Sequence, residues 1–166
     1  MGTRLQRPTS APATIKLNGG GEWKLRRATT LDLQTAQETT LQRMVQIMAG
    51  HQAVTALRAQ FGDLLDLPEG ADVTRLNSVS RFLNDVELAL ICSQGWSGVF
   101  DEDGKTIAEP ELGAVALLLA DPLEMKKARD VLYAGLHAEQ AEKNASAASP
   151  RGAAAAAAKP APTAGA

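Results

Sequence analysis

The sequence is poor in the residues that most often carry chemistry, with one cysteine and two histidines. A single cysteine excludes an intramolecular disulfide, which favours a reducing compartment. No histidine lies near Cys92 in the sequence to act as a base, so we predict a buried structural thiol rather than a nucleophile. His51 and His137 lie far apart along the chain, which argues against a metal site.

Other signs of catalysis or cofactor binding are missing too. The glycines at 19–21 are not followed by the Gly-Lys-Ser/Thr signature of a phosphate-binding loop, and a strand pattern comes next instead of a helix. The serines have no nucleophile-elbow context. The sequence therefore predicts a protein that is not an enzyme and that needs no cofactor and no metal ion.

Aromatic residues make up only 4% of the chain. A core built mainly of Leu, Val, Ile, Met and Ala favours packed helices over a β-sandwich. No apolar run reaches the ~20 residues that a membrane-spanning helix needs, and no apolar signal-peptide core follows the first residues. We therefore predict a cytoplasmic protein that does not bind a membrane.

The net charge is −2, but the charges are unevenly distributed along the chain. Residues 1–13 contain two arginines, two prolines and few apolar side chains, and we predict a disordered basic arm there. The arm has no aromatic residue to stack on a base, which argues against nucleic-acid binding. Residues 144–166 form a low-complexity Ala/Pro tail. The folded domain is therefore predicted to occupy residues 14–143.

Two short segments near the start of this domain alternate between apolar and polar residues. Ile15 and Leu17 lie on one face of the first segment, and Trp23 and Leu25 lie on one face of the second. Asn-Gly-Gly-Gly links them, so the pattern predicts a β-hairpin. Because an isolated hairpin is marginal in water, its apolar face should dock on helices.

Helical periodicity dominates the rest of the domain. Gly50 either ends the first helix or bends it. Helices are predicted over residues 31–49 and 73–93, and the apolar pattern continues past Gly50 to residue 61. Two further helices are predicted, one with Pro110 in its first turn and one that begins at the N-cap Asp121. The predicted fold class is mainly α, a small helical domain with an N-terminal β-hairpin and disordered N- and C-terminal tails.

One stretch interrupts the helices, Gly-Trp-Ser-Gly-Val-Phe-Asp-Glu-Asp-Gly-Lys from Gly95 to Lys105. Gly95 is predicted to end the third helix in the left-handed conformation. Trp96 is predicted to be mostly buried at that helix end, so that its replacement by alanine costs about 3–5 kcal/mol. Asp103-Gly104 is predicted to turn a very short hairpin.

The chain resembles the tail assembly chaperones of long-tailed bacteriophages in the order of its elements. A helix is followed by this stretch, then by a proline and by a helix that carries Ala-Leu-Leu-Leu-Ala-Asp-Pro. The resemblance covers roughly residues 73–136. It implies a mostly helical protein that binds the tape measure protein in the host cytoplasm while the tail assembles, and then leaves. It also implies that a longer frameshift product exists, in which residues 144–166 link the domain to an extension that binds the tape measure protein. A terminus without a function is the alternative.

Four residues are candidates for binding such a protein partner: Met44, Ile47 and Met48 on the first predicted helix, and Trp96. Methionine-rich faces adapt to varied partners, but a methionine stripe at helical spacing also suits a core. Three hypotheses stay open: an assembly chaperone, which could also self-associate, a structural subunit of a virion or other multiprotein assembly, and a small nucleic-acid-binding regulator that uses the basic arm.

Overall fold

The computed structural model describes residues 11–61, 64–65 and 73–136. The described part is mostly helical with a small antiparallel sheet, which confirms the mainly-α class. Its elements are β1 (Ala13–Lys16), β2 (Glu22–Leu25), α1 (Thr30–Met48), α2 (His51–Phe61), α3 (Val73–Cys92), β3 (Ser93–Ser97), α4 (Leu112–Leu119) and α5 (Pro122–Leu132). The predicted tail at 144–166 and most of the predicted arm at 1–13 lie outside the described residues.

The predicted hairpin is confirmed, with β1 and β2 antiparallel and Ile15 opposite Trp23. Its apolar face is buried, because Ile15, Leu17, Trp23 and Leu25 all belong to the core. The sheet contacts α5, which supplies the helical support that a hairpin needs.

A third strand, which the sequence did not predict, continues directly from the end of α3. The prediction that Gly95 ends the third helix is wrong, because α3 ends at Cys92 and Gly95 lies within β3. Gly95 still has a positive φ of 113°. Trp23 pairs with Trp96 and Leu25 pairs with Ser93, so β3 has one more residue than β2 between these two pairs, and Gly95 lies in this interval. The glycine therefore absorbs a bulge in the sheet instead of capping a helix.

Trp96 is half-buried, not mostly buried at a helix end as predicted. It pairs with Trp23 across the sheet, and the two ring centroids lie 6.2 Å apart. Its Nε1 donates a hydrogen bond of 2.8 Å to the carbonyl oxygen of Ile107. Because β3 is an edge strand, the neighbouring strand protects Trp96 on one side only.

Both ends of α1 and the start of α5 agree with the predicted caps. Pro110, predicted in the first turn of the next helix, instead precedes the Glu111 N-cap of α4. Gly50, with a φ of 120°, separates α1 from α2, so it ends the first helix instead of bending it. The Asp121 side chain accepts a hydrogen bond of 2.7 Å from the Leu123 amide at the start of α5. Cys92 is fully buried, as predicted, and burial raises the pKa of its thiol to about 11. Such a thiol is a poor nucleophile near neutral pH.

The start of α1 is stabilised by a capping box and an ion pair that meet at Asp32. Its carboxylate accepts hydrogen bonds from both terminal nitrogens of Arg26 at 2.6 and 2.8 Å, and from the amide and hydroxyl of Thr29 at 2.8 and 2.7 Å. The hydrogen bonds from Arg26, reinforced by those from Thr29, hold the pKa of Asp32 well below its usual range, although partial burial opposes them.

We expect Asp32→Asn to destabilise the protein at neutral pH by an amount that shrinks in acid. A depressed carboxylate pKa contributes stability above the unfolded-state value of about 3.9, and this contribution is lost as the pH falls through the folded-state pKa. Urea unfolding of both proteins from pH 7 to strong acid measures the difference. Asp130→Asn, in an exposed pair with Lys126, is the control and should change stability little. A pH-independent deficit in Asp32→Asn would refute this account.

Candidate functional site, an acidic groove beside the short hairpin

An open groove of about 510 Å³ lies between the β1–β2 turn, the segment 99–107, α4 and the start of α5. The β1–β2 turn forms one wall and the segment 99–107 forms another. The remaining wall is α4 with the start of α5. Its lining residues are Leu17, Asn18, Gly19, Val99, Phe100, Asp101, Glu102, Ile107, Glu111, Gly113, Ala114, Leu117, Leu118, Asp121 and Glu124.

The segment 99–107 is the short hairpin that the sequence predicted. Phe100 pairs with Thr106 through an isolated bridge, and the Ile107 amide donates to the Val99 carbonyl at 2.9 Å. The turn is held by Asp101, whose Oδ1 accepts hydrogen bonds from two amides inside the turn at 3.1 and 2.7 Å. These hydrogen bonds stabilise the wall formed by segment 99–107, which has only one β-bridge to hold it.

Two large apolar side chains of the groove are exposed. Phe100 on the short hairpin and Leu117 on α4 each have more than half of their surface accessible to solvent. Leu118 and Ile107 are half-buried beside them, and Leu118 packs on the core. The groove therefore offers an apolar surface, of the kind that binds apolar side chains of a partner.

The polar residues of the groove are predominantly acidic. Five carboxylates line it, from Asp101, Glu102, Glu111, Asp121 and Glu124, and no lysine or arginine is among the lining residues. Charges of one sign around a concave surface raise the local concentration of ligands of the opposite sign. The groove is therefore suited to a ligand that is positively charged as well as apolar.

Glu124 differs from the other four carboxylates because it is buried, with only 3% of its surface exposed. Its Oε1 accepts a hydrogen bond of 2.8 Å from the Asn18 amide and one of 3.1 Å from Nζ of Lys127. Its Oε2 is also buried and has no hydrogen-bond partner in the described part of the chain. A buried charged oxygen without a partner is costly, so this atom indicates a place for a donor from outside.

The position of Glu124 in the first turn of α5 explains how the protein holds a buried carboxylate there. The partial positive charge at a helix N-terminus stabilises an anion in the first turn. The Lys127 ammonium also donates to Oδ1 of Asn18 and to the carbonyl oxygen of Lys16, both at 2.9 Å, so it is tied to the β1–β2 turn. Glu124 and Lys127 thus fix α5 relative to the β1–β2 turn, while Oε2 has no hydrogen-bond partner among the described residues.

The structure does not bring the four predicted partner-binding residues onto one surface. Ile47 is buried in the core, and Met44 is half-buried against it. Met48 is exposed on α1, whereas half-buried Trp96 lies in β3. None of the four lines the acidic groove, although Trp96 supports it through its hydrogen bond to Ile107.

The described residues contain no group of three or more His, Cys, Asp and Glu side chains arranged to hold a metal ion. None of the described helices combines the length and the apolarity that crossing a membrane requires. Comparison with protein-family models, with curated proteins and with solved structures found no match for the chain.

Proposed function

We propose that the protein is a non-enzymatic assembly chaperone that holds an amphipathic, basic segment of a partner protein in the acidic groove. The observation that carries the proposal is the buried, unpartnered Oε2 of Glu124 at the groove. From the sequence resemblance, we propose the tape measure protein of a long-tailed phage as the partner, bound in the host cytoplasm.

The chemistry of the groove favours a helical segment as the ligand. Helices that bind in grooves present apolar side chains at spacings of three and four residues. Such side chains can contact Phe100 and Leu117, while a lysine or arginine between them donates to Oε2 of Glu124. A charge-assisted hydrogen bond of this kind contributes about 1.5–3 kcal/mol.

The remaining carboxylates suit a partner that must later be released. Asp101, Glu102, Glu111 and Asp121 are all exposed to solvent. Exposed charges at an interface rim accelerate association more than they strengthen the complex. The groove would therefore capture basic segments quickly without holding them permanently, as a chaperone requires.

Co-expression with a tape measure protein from the same source tests this function. The wild-type chain should keep that partner soluble and co-purify with it. We expect Glu124→Gln to weaken binding about 10-fold or more, because the charge at Oε2 is lost. Leu117→Asp should weaken binding as well, and because Leu117 is exposed its replacement should not disturb folding.

The matched control is Leu123→Asp, since Leu123 is an exposed leucine near the groove that does not line it. It should bind as the wild-type chain does. Unchanged aggregation of the partner would contradict the chaperone function, and equal binding by all three variants would contradict the groove as the site. Finding the protein in purified particles would favour the structural-subunit hypothesis.

A further inference from the structure

Two segments outside the described residues carry charge opposite to that of the acidic groove. Residues 1–10 contain Arg4 and Arg7, the tail at 144–166 contains Arg151 and Lys159, and neither segment contains an acidic residue. Five carboxylates line the groove, with no lysine or arginine among its described lining residues. Both segments therefore complement the groove in charge, and the distance that each must cover decides between them.

Residues 1–10 join the described chain at the end of β1 that lies farther from the groove. From Ala11 the chain runs through β1 to Leu17, the first residue of the groove, and six residues of strand cover ~20 Å. The backbone from Ala11 back to Arg7 spans ~14 Å at most, and that to Arg4 ~25 Å at most. Only Arg4 comes that far, on a fully extended backbone that reverses direction at once, so this segment is a poor occupant of the groove.

The tail has ample length to reach the groove. Glu124 in the first turn of α5 lines the groove, and the chain from Glu124 to Leu136 covers ~18 Å at the rise of a helix. Arg151 follows Leu136 by 15 residues and Lys159 follows it by 23. Fifteen residues cover ~22 Å as a helix and ~50 Å when extended, so both cations reach the groove in either conformation.

The sequence around Lys159 combines the two properties that the groove favours in a ligand. Lys-Pro-Ala-Pro, from Lys159 to Pro162, places a cation directly before two prolines. Proline-rich segments bind to aromatic side chains in surface grooves, and Phe100 is an exposed aromatic side chain of this groove. A lysine ammonium has three N–H donors, whereas Oε2 of Glu124 is a buried acceptor without a partner among the described residues.

We propose that the tail occupies the acidic groove when no partner protein is bound, with Lys159 donating to Oε2 of Glu124 and its two neighbouring prolines against Phe100. This inference rests on the proposed function of the groove and adds its regulation. The tail competes with the partner protein as an intramolecular ligand, at an effective concentration on the order of millimolar. Because the tail has no large apolar side chain, a partner segment that has such side chains displaces it.

Carbodiimide coupling of the full chain alone tests the contact without a partner protein. The reagent joins an amine to a carboxylate that touches it, and mass spectrometry of the monomeric product locates the bond. We expect Lys159 to couple to Glu111 and Asp121, the exposed carboxylates of α4 and α5 in the groove. Glu124→Gln should lower this yield about 3-fold or more, because the charge that holds the ammonium is lost.

Binding of a tape measure protein tests the competition. The apparent affinity for a partner scales with the fraction of chains whose groove is free. The double variant Arg151→Gln with Lys159→Gln should therefore bind the partner about 3-fold or more tightly than the wild-type chain. The matched control is Arg4→Gln with Arg7→Gln, which removes the same charge from the other basic segment and should bind as the wild-type chain does.

Two results would overturn the tail as the occupant. One is coupling of Lys159 to exposed Glu38 on α1 as often as to the groove. The other is equal binding of the partner by the wild-type chain and the tail variant. Either result leaves the chaperone function intact as long as the wild-type chain binds the partner. A chain that couples Lys159 to the groove but binds no tape measure protein contradicts the chaperone function and retains the tail contact.

Discussion

Replacing Trp23 with alanine is expected to lower the free energy of unfolding by about 3–5 kcal/mol. Trp23 is 1% exposed and lies in β2, the central strand of the sheet. Its ring packs against Trp96, and its Nε1 donates a hydrogen bond of 2.8 Å to Oγ of Ser93. The replacement leaves a cavity between the sheet and the helices and removes the donor to β3. Urea unfolding followed by circular dichroism measures the loss.

Trp96→Ala is the matched control, since it removes the same side chain from the neighbouring strand. Trp96 is half-buried, so its loss should cost less, about 1–3 kcal/mol, rather than the 3–5 kcal/mol expected for a mostly buried ring. A loss at Trp96 equal to or greater than that at Trp23 would contradict this placement of the two rings.

The second large effect is expected for Arg43→Met, at about 3–5 kcal/mol of lost stability. Nε of Arg43 on α1 donates to Oε1 of Glu87 on α3, and Glu87 is buried. The guanidinium carbon also lies 5.8 Å from the ring centroid of Phe61 at the end of α2. Methionine retains most of the apolar volume but leaves the Glu87 carboxylate without this cation.

The double variant Arg43→Met with Glu87→Leu tests the cause of that loss. Replacing both members of a buried ion pair by apolar residues is often close to neutral, whereas removing one member is strongly destabilising. The double variant should therefore be more stable than Arg43→Met alone, a coupling that a double-mutant cycle measures directly. If the two losses simply add, the stabilising role of Arg43 lies in its other contacts.

Elements with a strong local signal could be predicted from the sequence. The hairpin follows from the alternation around Trp23 and Leu25, and the first helix from its capping residues and apolar spacing. Strand β3 could not, because Ser-Gln-Gly-Trp-Ser has no alternation of apolar and polar residues and includes a glycine. Its strand conformation depends on the free edge of β2, a contact between distant parts of the chain.

The acidic groove could be predicted only in part. The short hairpin and its Asp103-Gly104 turn were evident from the sequence, but the role of Glu124 was not. In the sequence, Glu124 looks like a surface charge balanced by Lys126 and Lys127. Its burial depends on the turn at Asn18, 106 residues away, and long-range packing of this kind leaves no local pattern.

The order of the strands also determines when the sheet can form during synthesis. Ser93, which accepts the hydrogen bond from Trp23, is made 70 residues later. At ribosomal rates of about 5–20 residues per second this interval is ~4–14 s, whereas a hairpin forms in ~1–10 μs. While α1, α2 and α3 are translated, the edge of β2 therefore has no β3 to pair with, and the indole of Trp23 has no Ser93 hydroxyl to bind. Slow codons before residue 93 would lengthen this interval and with it the exposure of a bare strand edge to other nascent chains.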